Sequence, residues 1–123
     1  MIENIVEEII KLVNGKTEDI DWVGSSDGKL AMNWNEFKKK FNSLSYDSGF
    51  GGTEIASDLV VVMKDGRWAG RDGYDGSEWF AEHWAQDGNT PIKQHDASSF
   101  DQIYSTEYPD LFKLKTLNKE TKE

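Results

Sequence analysis

The chain has no cysteine, only two histidines and only two prolines among its 123 residues. Without cysteine there is no disulfide framework, no thiolate zinc site and no thiol nucleophile. His83 and His95 leave most metal-ligand and nucleophile–base sets short of members. The pairings His95–Asp96 and His83 with Asp87 are too sparse to read as metal sites. No stretch approaches the roughly 18–20 apolar residues that a membrane span requires. The opening "MIENIVEEIIKLVNG" carries Glu3, Glu7 and Glu8, so it lacks the basic start and unbroken apolar run of a signal peptide. A cytoplasmic protein without membrane contact is the expectation.

Basic residues are also scarce. Fourteen Lys and Arg face 23 Asp and Glu, a formal net charge of -9. The imbalance is greatest between residues 41 and 112, which hold four basic and thirteen acidic residues. Such a field repels nucleic acid, whose phosphates need clustered Lys and Arg. It attracts a basic protein surface.

What is present suits a single domain with its own hydrophobic core, expected over residues 1–117, with 118–123 as a flexible tail. Ile2, Ile5, Val6, Ile9, Leu12 and Val13 follow 3-4 spacing and predict an amphipathic first helix, with Gly15 available for the left-handed C′ position. "DIDWVG" and "KLAMNW" flank "SSDG" and predict a hairpin. Trp34, Phe37, Phe41 and Leu44 predict a second helix, with Asn33 and Glu36 as a capping box. Lys38, Lys39 and Lys40 spread over that helix's solvated side. "YDSGFGGTEIAS" reads as a glycine-rich turn. Residues 98–117 read as a short helix capped by Ser98 or Ser99, then a segment anchored by Leu111, Phe112, Leu114 and Leu117.

The stretch "DLVVVMKDGRWAGRDGYDGSEWFAEHW" predicts three strands joined at Asp65-Gly66 and Asp75-Gly76, each suited to a two-residue type I′ turn. Two-residue turns would set Met63 against Trp68 and Arg71 against Phe80. Alternation then gives a core face of Leu59, Val61, Met63, Trp68, Trp79 and Ala81. The opposite face collects Val60, Val62, Arg67, Ala69, Arg71, Phe80, Glu82 and Trp84. On it, Arg71 over Phe80 and Arg67 over Trp84 form candidate cation–π pairs, with Glu82 within reach of either arginine.

Several chemical motifs fail on spacing. With Gly76 at the invariant EF-hand position, Arg71 and Gly73 fall where calcium ligands belong. "SGFGGT" is followed by Glu54 and Ile55, not by the Lys-Ser/Thr of a phosphate loop. It also lacks the basic and aromatic flanks of an RNA-recognition motif. Glu82 and His83 alternate to opposite faces and make no obvious acid–base dyad.

The "YDGSEWF" turn and the strands before it resemble small, largely uncharacterised acidic proteins of Gram-positive bacteria and their phages. In those, a valine-rich strand leads through a Trp-bearing strand to "YDGSEWW". The similarity covers residues 58–84, with Phe80 in place of the second Trp, and "AEHW" where those proteins carry an acid and an aromatic. The resemblance implies a mobile-element or accessory gene product and brings no biochemical activity with it.

The expected fold is α+β: an antiparallel sheet of four to six strands, a meander with two tight hairpins, and two main helices packed on one face. The expected function is a small acidic non-enzymatic protein-binding module with no cofactor and no metal. It would inhibit a host nucleic-acid-handling or defence protein by acidic mimicry of nucleic acid. An immunity protein against a cognate toxin is the alternative, and a small hydrolase a third reading. The candidate partner-binding residues are Arg67, Arg71, Asp72, Tyr74, Asp75, Glu78, Phe80, Glu82 and Trp84.

Overall fold

In the computed structural model, residues 2–49, 53–74, 77–83, 89–107 and 111–118 are described. The first element is a short strand, β1 (Ile2–Asn4), which places the exposed Ile2 outside the helix expected to contain it. Asn4 ends the strand and starts helix α1 (Ile5–Leu12), its side-chain oxygen accepting from the Glu7 N–H at 2.9 Å. The helix closes on a Schellman motif. Asn14 is left-handed at φ 55°, its N–H donating to Lys11, and the Gly15 N–H reaches back to Ile10. Asn14, not Gly15, therefore takes the C′ position, and Gly15 follows it at φ 79°.

After a 3-10 turn (Thr17–Asp19), β2 (Ile20–Ser25) and β3 (Ala31–Met32) form the expected hairpin. Helix α2 (Trp34–Phe41) starts where Asn33 accepts from the Glu36 N–H at 2.8 Å. The beginning of the glycine-rich stretch is a strand, not a turn: β4 (Ser45–Asp47) pairs antiparallel with β1. Strands β5 (Leu59–Met63), β6 (Trp68–Tyr74) and β7 (Ser77–His83) complete a five-stranded antiparallel sheet in the order β3-β2-β5-β6-β7. A last short helix, α3, spans Leu114–Leu117.

Helices α1 and α2 pack on one face of this sheet. Ile5, Val6 and Ile9 of α1 and Trp34, Phe37 and Phe41 of α2 meet Ile20, Val23, Leu59 and Val61 in the main core. Phe100, Ile103, Phe112 and Leu114 close it from the C-terminal side. The helix expected after Ser98 or Ser99 does not form. Residues 98–107 run as irregular chain carrying two isolated bridges, Leu30 with Ser98 and Ile55 with Tyr104. Backbone bonding there goes to neighbouring segments, as in Ala56 N–H to Ile103 and Ser105 N–H to Glu54. Leu111, expected as an anchor, is exposed, whereas Phe112 and Leu114 are buried. Asn118 is tied in by its amide, which accepts from the Asp101 and Gln102 N–H groups.

The turn after β5 decides which side chains face the helices. Gly66 N–H donates to Met63 at 3.0 Å, Met63 N–H donates to Arg67 at 2.8 Å, and Gly66 sits at φ 96°. This is a three-residue loop, a type I turn closed by a left-handed glycine, and not a two-residue type I′ turn. Val61 consequently lies opposite Ala69, and Val62 opposite Trp68. That one-residue difference exchanges the two faces of the β6–β7 hairpin relative to the sequence expectation.

Candidate protein-binding hairpin

Strands β6 and β7 pair in the register expected from their sequence: Tyr74 opposite Ser77, Asp72 opposite Trp79, Arg71 opposite Phe80, and Ala69 opposite Glu82. Because Ala69 stands against Val61, the row Ala69–Arg71 and its partners Glu82, Phe80 and Glu78 lie on the helix side of the sheet. Trp68, Asp72, Tyr74, Trp79 and His83 lie on the other side with Val60 and Val62. The expectation that Trp68 and Trp79 point into the main core while Arg71 and Phe80 point away is therefore corrected.

On the helix side, Arg71 is at the centre of a buried polar cluster. Its side chain is 3% exposed, and that of Glu78 is 5% exposed. Arg71 Nη2 donates to Glu78 Oε1 at 2.9 Å and to the Tyr46 hydroxyl at 3.1 Å. Arg71 Nη1 lies 3.7 Å from Glu8 Oε2. The guanidinium also stacks between rings, 4.6 Å from the centre of Phe80 and 5.2 Å from that of Tyr46. The Arg71–Phe80 cation–π pair was expected; its burial was not.

The cluster reaches further through carboxylates. Glu78 accepts the backbone N–H of Glu54 at 2.7 Å and that of Ile55 at 3.3 Å, while Glu54 Oε1 accepts the Asp47 N–H at 3.0 Å. Tyr46 donates its hydroxyl to Glu8 Oε1 at 2.7 Å. Burial pushes the Glu8 carboxyl above its ordinary value, against the lowering effects of the Tyr46 hydroxyl and the Arg71 charge. Burial likewise raises the Tyr46 phenol. One guanidinium thus ties α1, β4, the 54–55 segment, β6 and β7 together.

The sequence held one sign of this cluster. Glu8 sits three residues after Ile5 and four before Leu12, so an acid interrupts the helix's apolar row and calls for a buried partner. Tyr46 and Glu54 carry no comparable signal, because their positions depend on the β1–β4 pairing.

The opposite side has two parts. Trp22, Ala31, Val60 and Val62 form a second apolar patch, against which Trp68 and Ala97 pack. The chain from Thr90 to Ser98 covers this patch. Thr90 donates to the Gly66 carbonyl at 2.7 Å, Gln94 N–H bonds Gly28, and Ser98 N–H bonds Lys29. Trp68 stacks on His83 with ring centres 4.2 Å apart. Towards the hairpin tip the surface stays open: Tyr74 is 79% exposed, Trp79 is 39% exposed, and Asp72 is exposed. Tyr74 and Trp79 are diagonal neighbours on one face, with Asp72 directly across from Trp79.

The candidate residues are thus divided. Arg71, Glu78 and Phe80 belong to the buried side. Asp72 and Tyr74 belong to the open side, joined by Trp79, which the sequence had assigned to the core. Glu82 is exposed near the rim of the helix side, and neither arginine pairs with it; Arg67 instead bonds Asp65 at 2.9 Å. Asp75, Gly76 and Trp84 lie outside the described residues, and with them the expected Arg67–Trp84 contact.

One surface pocket adjoins the hairpin and another lies away from it, beside α2. The first, of about 200 Å³, has an apolar floor including Val13 and Met63 and a rim of Lys16, Asp19, Arg67 and Glu82. The other, of about 310 Å³, is a shallow opening by Lys40, Asp101 and Tyr104. Neither is lined by Arg71, Glu78 or Tyr46. Among the described residues, no three His, Asp or Glu gather as a metal-ligand set, and no helix is long and apolar enough to cross a membrane.

No family model, curated protein or solved structure matches this chain.

Proposed function

We propose that this protein is a small, non-enzymatic binding module whose recognition surface is the open face of the β6–β7 hairpin. Its partner is a basic, nucleic-acid-handling protein, in keeping with a phage or mobile-element inhibitor that occupies a nucleic-acid groove by charge mimicry. The observation that carries this reading is the exposed Asp72, Tyr74 and Trp79 set, mounted on a hairpin that a buried ion pair holds from behind. Exposed aromatics on a rigid element supply contact area at little entropic cost, and Trp and Tyr dominate interface energetics.

Charge supports the same partner class. Of the four basic residues between 41 and 112, Arg71 is buried against Glu78 and Arg67 is paired with Asp65. Each pair also takes up one acid, so the segment keeps the net acidic balance of its composition, and neither arginine offers an unpaired positive charge that would oppose a basic partner.

Affinity capture from host lysate at low and high salt tests the proposal. The wild type is expected to retain a basic nucleic-acid-binding protein at low salt and release it at high salt. Trp79→Ala and Asp72→Lys should each weaken capture by about tenfold or more. Retention that is indifferent to salt and to both variants contradicts the reading. Glu78 is not a suitable site for charge reversal, since its loss would disturb the fold.

A further inference from the structure

The two edges of the main sheet are not equivalent. At β3, the Ala31 N–H bonds Ser98 and Leu30 bridges to Ser98, so that edge is covered by the chain itself. At β7, the Glu78 N–H points away from β6 and donates to the Ser48 carbonyl at 2.8 Å. Backbone groups of an antiparallel edge strand alternate between partner strand and outside, so Phe80 and Glu82 share the outward orientation of Glu78. Among the described residues, neither of their N–H groups meets an acceptor.

We infer that β7 is a strand-addition site, and that the basic partner docks by laying an extended segment along Phe80–Glu82 as a sixth strand. Strand addition draws affinity from main-chain bonds and selectivity from alternating side chains. Here the exposed Glu82 lies on one side of the edge and the half-exposed Trp79 on the other. Both suit a strand bearing Lys or Arg, by charge at Glu82 and by cation–π contact at Trp79. A second copy of this chain fits poorly, because each copy carries a net charge of -9.

This inference rests on the protein-binding reading, and its test separates the two. The probe is a short peptide alternating lysine and valine, with a glutamate–valine peptide of equal length as control. Amide hydrogen exchange is followed in the intact protein. The lysine–valine peptide is expected to slow exchange at Phe80 and Glu82 by about tenfold or more, with no such protection from the control. Equal protection by both peptides, or binding that leaves these two amides unprotected, overturns the inference. Glu82→Pro supplies a second measurement, read against Glu82→Gln, which loses the same charge but keeps the outward N–H that proline removes; edge strands tolerate proline. The lysate partner should be lost by Glu82→Pro as well as by Trp79→Ala. Capture lost only with Trp79→Ala would overturn strand addition and leave the proposed function standing.

Discussion

Arg71 brings one positive charge into a site that also holds Glu8 and Glu78, and its loss would leave those carboxylates facing each other without a cation. Breaking a buried pair from one side costs about 3–5 kcal/mol, whereas removing both charges together is much milder. Arg71→Met is therefore expected to lower unfolding free energy by about that amount in a urea titration. Adding Glu78→Gln, which keeps an oxygen for one of the Glu54 and Ile55 N–H groups, should restore part of the loss. A double variant no more stable than the single one would show that the ion pair is not what holds the hairpin. Glu8 behaves differently. Its pKa is raised in the folded protein, so the native state binds more protons than the unfolded chain as pH climbs above the ordinary value of 4.5. Stability contributed by the protonated form is present below that value and is lost as pH rises through the raised pKa. Glu8→Gln retains an acceptor for the Tyr46 hydroxyl. At neutral pH it should leave stability unchanged or improve it by less than about 1 kcal/mol, and it should flatten this part of the pH profile. A marked loss of stability in Glu8→Gln at neutral pH would contradict that account.

At the scale of elements, the loop after β5 has the largest consequences. Gly66 at φ 96° closes the three-residue turn, and the Asp65 side chain accepts the Arg67 N–H at 3.0 Å. Gly66→Ala should cost about 1 kcal/mol or more, because the turn requires a backbone conformation that alanine adopts only with strain. The check is a calorimetric melt. A neutral effect would mean that the turn relaxes to another type. This loop also shows where the sequence stopped being informative. Helical periodicity identified α1 and α2, the capping residue Asn33 was readable, and "LVVVM" announced a strand. Asp-Gly is compatible with both a two-residue and a three-residue hairpin, and the choice inverts every side chain in β6. The inversion carried Arg71 and Phe80 from the expected outer face to the buried one, and Trp79 the other way. The alternation was nearly symmetric, with aromatic and aliphatic residues on both faces, so hydrophobicity did not break the tie. The β1–β4 pairing was less legible still: three residues at either end of an intervening hairpin and two helices leave no periodic trace.

For the molecule as a whole, net charge and the open sheet edge bear on each other. An unprotected edge is a template for pairing with another chain, and like charge is one of the devices that keep such edges apart. Here β7 has unpaired outward N–H groups at Phe80 and Glu82, while each molecule carries a net charge of -9 at neutral pH. The acids cancel as pH falls toward the isoelectric point near 4.7, and salt shortens the range of the repulsion. Self-association is therefore expected to increase as pH approaches that value, with cross-strand pairing centred on β7. Light scattering across a pH titration would show the onset, and hydrogen exchange would show whether the Phe80 and Glu82 amides become protected as it proceeds. Glu82→Pro should slow association by about tenfold, because it removes an edge donor. It also removes one acidic charge, so Glu82→Gln is the control for charge alone, and it should associate at least as readily as the wild type. If Glu82→Pro associates as fast as Glu82→Gln, or if the two amides stay unprotected in the associated state, some other surface drives the contact and charge is guarding something other than this edge.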